Sequence, residues 1–128
     1  MTSAHDPESM LPLTPAVFHI LLALADGERH GYSIMQEITI QTDEKLHIGP
    51  TTLYRSIKRL LEDGLIVEVD ERPDPNLDDE RRRYYRLTTF GQRVIMAELQ
   101  RLEQALRVAR SKPMLGSSPN ALYSTKPH

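Results

Sequence analysis

The sequence predicts a mainly α fold with a small β-hairpin, and three observations carry that expectation. Four segments place apolar residues at helical spacing. Two short β-prone runs, 65–70 and 83–88, flank a loop that two prolines and an Asn/Asp cluster keep out of any sheet. The order is helix, helix, helix, strand, loop, strand, helix, with non-periodic polar residues at both ends.

A chain of 128 residues makes one domain with an ordinary small core. It has no cysteine, which excludes disulfides, thiolate metal sites and thiol catalysis. Asp6, Pro7 and Glu8 interrupt the N-terminal stretch before any apolar run, so no signal peptide is expected. No apolar stretch has the length to cross a bilayer, and a cytoplasmic protein is the expectation. The net charge of −2 averages over two opposed regions. Acids crowd from Glu62 through Glu80, and Arg81, Arg82, Arg83, Arg86 and Arg93 then follow almost unopposed. A phosphate backbone responds to such a local basic surface rather than to the total.

Residues 1–12 are polar with two prolines and read as a flexible N-terminus. Thr14-Pro15 supplies an N-cap followed by proline at the first helical position. Val17, Ile20, Leu21 and Leu24 then stripe a first helix to about Ala25, and Asp26-Gly27-Glu28 is a turn. The second helix spans about 31–41, with Tyr32, Met35, Ile38 and Ile34 inward. Gly31 suits a close backbone approach, and Tyr32 is assigned to the core in preference to a phosphate contact.

The third helix is the informative one. Gly49-Pro50 starts it, and Gly64 ends it with a residue able to take a left-handed cap. Leu53, Ile57, Leu60 and Leu61 define its buried face, opposite Thr51, Thr52, Arg55, Lys58, Arg59 and Glu62. Hydroxyls and arginines fill its first two turns, the part of a recognition helix that reaches base edges. Glu62 and Asp63 wait in the last turn. The plain alternative is a solvated amphipathic face.

After it, Leu65, Val67 and Val69 alternate with more polar neighbours as a half-buried strand, and Tyr85 and Leu87 share one face of a second strand. Thr88 or Thr89 caps a last helix from about 90 to 110. Ile95, Leu99, Leu102, Leu106 and Ala109 fall at spacings of four, three, four and three, an a/d seam. The seam covers little more than two heptads. It reads either as a homodimer interface through Ile95, Leu99, Leu102 and Leu106 or as a helix packed on its own domain. Residues 111–128 read as a disordered tail.

A three-helix unit with an exposed basic third helix, then a hairpin with an arginine cluster, makes a winged helix-turn-helix domain over 13–88. A C-terminal dimerisation helix over 89–110 completes it. In that architecture the third helix enters the major groove and the wing lies along neighbouring backbone or minor groove. Specific blocks sharpen the reading: Leu22-Ala23-Leu24, His30-Gly31-Tyr32-Ser33-Ile34, Thr52-Leu53-Tyr54, Asp63-Gly64-Leu65-Ile66, and Arg83-Tyr84-Tyr85-Arg86-Leu87-Thr88 with Gly91. Together they resemble the PadR family of bacterial transcriptional regulators over about residues 12–110.

The resemblance implies a homodimer held by the C-terminal helix, usually a repressor, often relieved by a small-molecule effector. By position it places Thr51, Thr52, Tyr54, Arg55 and Lys58 on a helix facing double-stranded DNA. Thr51 and Arg55 point most directly outward, and arginine to guanine is the favoured pairing. Tyr54 lies at the border of the buried face, as a boundary core residue or a phosphate contact. A symmetric dimer expects an inverted-repeat operator.

The wing departs from the family's short, basic turns. Asp78-Asp79-Glu80 stands beside Arg81-Arg82-Arg83, so the arginines either contact phosphate, the reading preferred here, or pair across the hairpin.

Rival classes find less support. No P-loop, Gly-x-Gly-x-x-Gly or His-Glu-x-x-His occurs and the five histidines are scattered, so no enzyme, metal or cofactor is expected. A winged-helix module for protein–protein contact without DNA binding is the other alternative. The acidic wing tip favours it and the Thr/Arg helix face disfavours it.

Overall fold

The computed structural model describes residues 6–69 and 83–115. Helix α1 (Pro15–Ala23), strand β1 (Arg29–His30), helices α2 (Gly31–Gln41) and α3 (Pro50–Glu62), strands β2 (Ile66–Val69) and β3 (Tyr84–Leu87), and helix α4 (Thr89–Arg110) follow in order. This is a winged helix-turn-helix with a long C-terminal helix. Ile20, Leu21, Ile34, Ile38, Leu53, Leu65 and Val94 fill its centre, so every helix and the start of the hairpin contribute to one core.

Local chemistry sets the helix ends. Thr14 Oγ1 accepts the Val17 amide at 3.2 Å to start α1, and Thr88 Oγ1 accepts the Gly91 amide at 2.9 Å to start α4. His30 caps α2 through Nδ1, which accepts the Ser33 amide at 3.2 Å. Between α2 and α3, Asp43 and Glu44 take left-handed conformations with φ of 55° and 64°. Such strain is uncommon outside glycine and persists where neighbours over-determine it. Here the Glu44 amide donates to Thr39 O at 2.8 Å and the Thr42 hydroxyl to Ile38 O at 2.9 Å.

At its far end α3 closes in a Schellman turn. Gly64 has φ of 79°, its amide donates to Leu61 O at 3.2 Å, and the Leu65 amide donates to Leu60 O at 2.9 Å. This turn corrects the expected strand phase. Leu65 belongs to the turn and drops into the core, and Ile66 begins the strand as a buried residue, while Val67 is 37% exposed. Pairing of Ile66 with Leu87 and Glu68 with Tyr85 sets the core-facing register.

The sheet holds a third strand that the sequence did not announce. β1 pairs antiparallel with β3, Arg29 opposite Tyr85 and His30 opposite Tyr84, giving the order β1-β3-β2. Two residues are too few to show alternation. The wing loop, with its prolines, its acidic tip, Arg81 and Arg82, lies outside the described residues.

Two further expectations are corrected. Residues 6–12 are not a flexible lead. Pro7–Met10 forms a 3-10 turn capped by Asp6, and Met10, Leu11 and Leu13 pack against the core. Their irregular spacing hid that burial. In α4, Ile95 is buried with Gly91, Val94 and Glu98 in its own domain, which removes it from any intermolecular seam. From Leu99 onward the helix stands clear of the core. It ends at Ser111, followed by a 3-10 turn at Pro113–Leu115; residues 116–128 lie outside the described residues.

Candidate nucleic-acid interface

Helix α3 presents one side to the core and the other to solvent, as its periodicity requires. Leu53, Ile57 and Leu60 are buried, and Thr51, Thr52, Arg55, Lys58, Arg59 and Glu62 are all exposed. The cations are not equivalent. Arg59 Nε lies 3.5 Å from the Asp63 carboxylate one turn on, whereas Arg55 and Lys58 have no ion pair among the described residues. The middle of the exposed face therefore offers two uncommitted cations flanked by two threonine hydroxyls. Exposed threonine hydroxyls, guanidinium and ammonium groups are donors of the kind that phosphates and base edges accept, and a guanidinium is the group that pairs with guanine through two hydrogen bonds.

Tyr54 is half-buried against the core. Its ring and hydroxyl lie where a side chain on Gly31 would stand, so the glycine lets the start of α2 and the middle of α3 approach closely. Tyr32, assigned to the core from sequence, is 54% exposed at the start of α2. A residue in the first helical turn sits at the rim, where an aromatic body with a polar tip tolerates solvent.

The sheet flanks this face. The His30 ring meets Tyr84 edge-on, with centroids 5.4 Å apart. Arg86 is exposed opposite Val67. Arg83 is exposed and lies 3.5 Å from Glu68 across the hairpin, an arrangement at a solvated surface worth at most ~1 kcal/mol. Arg29, which sequence reasoning overlooked, anchors the frame. Its Nε donates to Ala23 O at 2.8 Å and Nη1 to Ser33 Oγ at 3.0 Å, and Nη2 lies 3.3 Å from Glu37.

A joint fastens α3 to α4. The Thr88 hydroxyl donates to Gly64 O at 2.6 Å, the Thr88 amide donates to Leu65 O at 3.0 Å, and Gly91 lies against that same carbonyl with no room for a Cβ. Further along α4, Glu98 is only 2% exposed. It accepts the Leu13 amide at 3.1 Å and the Arg101 Nε at 2.6 Å. The Arg101 hydrogen bond, helped by the Leu13 amide, holds the Glu98 carboxyl below its ordinary value against the opposing effect of burial.

Of the seam residues, Leu99, Leu102 and Leu106 are 39%, 40% and 41% exposed, a row of leucines in solvent on one side of α4. No group of acidic and histidine side chains suited to a metal occurs among the described residues.

Comparisons with known proteins agree with this architecture. Residues 20–97 match the transcriptional regulator PadR-like family. The transcriptional regulator Rv3488 of Mycobacterium tuberculosis is 35% identical over 89 residues, which cover 70% of this chain and 77% of that protein. A transcriptional regulator from Clostridium thermocellum is 32% identical with a TM-score of 0.60, covering 73% of this chain and 84% of its own. Bacillus subtilis PadR, solved in complex with operator DNA, shares the fold with a TM-score of 0.58 at 22% identity, over 69% of this chain and 48% of its own. The chain therefore belongs to the PadR-like family of transcriptional regulators.

Proposed function

We propose that this regulator reads double-stranded DNA by sequence, as a homodimer on an inverted repeat, and acts as a repressor that a small-molecule effector relieves. The observation that carries the reading is the outward face of α3, where Thr51, Thr52, Arg55 and Lys58 stand exposed on a helix whose opposite side, Leu53, Ile57 and Leu60, is buried in the core. Arg55 and Thr51 read base edges in the major groove, and Lys58, Thr52 and Tyr54 serve the backbone beside them. Arg83 from the described part of the wing, and Arg81 and Arg82 beyond it, contact flanking phosphates. Bacillus subtilis PadR, which shares the fold, was solved on operator DNA, and that supports the docking.

The leucine row on α4 supports the dimer, since a run of leucines in water is a cost that a second copy removes. A two-fold pair sets its half-sites ~34–36 Å apart or a multiple of that. Repression and its relief rest on the family's habit. Such a regulator works in the cytoplasm, and no described helix is long and apolar enough to cross a membrane.

The test is selection of bound duplexes from a random library at two salt concentrations. An enriched inverted repeat whose binding weakens steeply with salt supports the reading. No enrichment from folded protein would turn it toward a protein partner.

A further inference from the structure

The exposed cations of α3 differ in what stands one turn further along the helix. Four residues after Arg55 comes Arg59, and four after Lys58 comes Glu62, yet neither Arg55 nor Lys58 makes an ion pair among the described residues. Arg59 does, with the Asp63 carboxylate 3.5 Å from its Nε. The Asp63 backbone is fixed, because its amide donates to Arg59 O at 2.9 Å and the closing turn through Gly64 follows at once. Helix electrostatics gives no reason for an acid here. A helix C-terminus carries partial negative charge and favours cations, whereas Glu62 and Asp63 stand there against the dipole.

We propose that Asp63 is a positioning residue for DNA binding, which holds Arg59 at the C-terminal turn of α3 and keeps its guanidinium from the phosphates beside the half-site. The inference rests on the proposed docking of α3 and adds a brake on its affinity.

Position gives the brake its effect. Arg59 lies one turn beyond Arg55, ~6 Å along the axis and on the same side of the helix. A docked α3 therefore carries it along the same stretch of duplex, where a free guanidinium would take a phosphate. To do so from the pair, the phosphate must displace a carboxylate that then stays beside it as a like charge. The Arg59 and Asp63 side chains are 75% and 35% exposed, so the pair is solvated and weak. It lowers affinity by a modest factor and blocks nothing. The Arg83–Glu68 pair, also at 3.5 Å, joins two long side chains across the hairpin. Holding those two costs more conformational freedom, so that pair yields to phosphate more readily. Because Arg59 serves the backbone, releasing it should change affinity without changing base preference.

Neighbouring acids allow a matched test in the full chain. Asp63→Asn and Glu62→Gln each remove one carboxylate from adjacent exposed positions, and only the first releases Arg59. The duplex enriched by library selection and a scrambled duplex of equal length serve as probes across a salt series. Asp63→Asn should tighten binding to both by up to about fivefold per protomer, the range of an exposed pair, and steepen the salt slope by about one for each arginine freed. Adding Arg59→Ala should erase that gain, although Arg59→Ala alone should weaken the wild type by less than about twofold. Glu62→Gln should give a smaller gain that survives Arg59→Ala. Equal gains from the two acid variants, both surviving Arg59→Ala, would reduce Asp63 to one charge among others and overturn the proposal. A gain confined to the enriched duplex would make Arg59 a base contact and overturn it too. A wild-type chain that enriches and binds no duplex overturns the DNA reading and this inference with it.

Discussion

The ring and hydroxyl of Tyr54 occupy the space that a methyl group on Gly31 would fill, so α2 and α3 approach through a glycine and a tyrosine. Gly31→Ala should push Tyr54 off its seat and cost about 1–3 kcal/mol of stability, as overpacking does. Denaturant unfolding measures the loss. Adding Tyr54→Leu should recover part of it, because residues in contact couple non-additively. Full additivity would disprove the proposed clash.

Arg55 and Arg83 should fail in different ways. Arg55→Ala is expected to cost about 1–3 kcal/mol of specific binding and relax one base position, whereas Arg83→Ala should weaken all sequences alike and flatten the salt dependence. Competition binding with single-base operator variants at several salt concentrations separates the two. An Arg55→Ala protein with unchanged affinity and preference would mean that α3 is docked incorrectly.

The leucine row makes a sharper prediction now that Ile95 is assigned to the core. Leu99→Asp with Leu102→Asp should give a folded monomer, because both side chains already meet solvent in the protomer. Sedimentation reports the mass and circular dichroism the fold. A folded double variant that stays dimeric would relocate the interface.

Glu98 links stability to pH. Its folded carboxyl titrates below the ordinary 4.5, so its contribution is complete above that value and is lost as pH falls through the lowered folded value. Glu98→Gln should blunt this acid limb. Glu98→Ala also strips the Leu13 amide of its acceptor and should cost about 1–3 kcal/mol at neutral pH. Acid titrations monitored by circular dichroism compare the three proteins, and identical acid limbs would remove Glu98 as the cause.

What the sequence revealed depended on the length of each pattern. The two faces of α3 were legible because thirteen helical residues repeat the period several times. Gly64 announced its turn, but the turn's consequence for Leu65 and Ile66 did not show, since a shift of one residue leaves the same apolar run. β1 left no trace in two residues. Ile95 fits both the exposed seam and the buried stripe of Gly91, Val94 and Glu98, and only packing divides them. That stripe did hold a signal for Glu98, an acid at a core position, which implies a partner. Its partner amide lies 85 residues away, beyond the reach of any local pattern.

The joint between Gly64-Leu65 and Thr88-Gly91 turns α4 into the shaft of a lever whose head is α3. In the proposed dimer each head sits ~17 Å from the dyad, so a pivot of about 10° between the two shafts sweeps it by roughly 3 Å, close to one base-pair step. In the proposed function, the effector therefore need not touch α3 to silence it. Wedging the two shafts apart would throw the reading heads out of step with the helical repeat of the duplex.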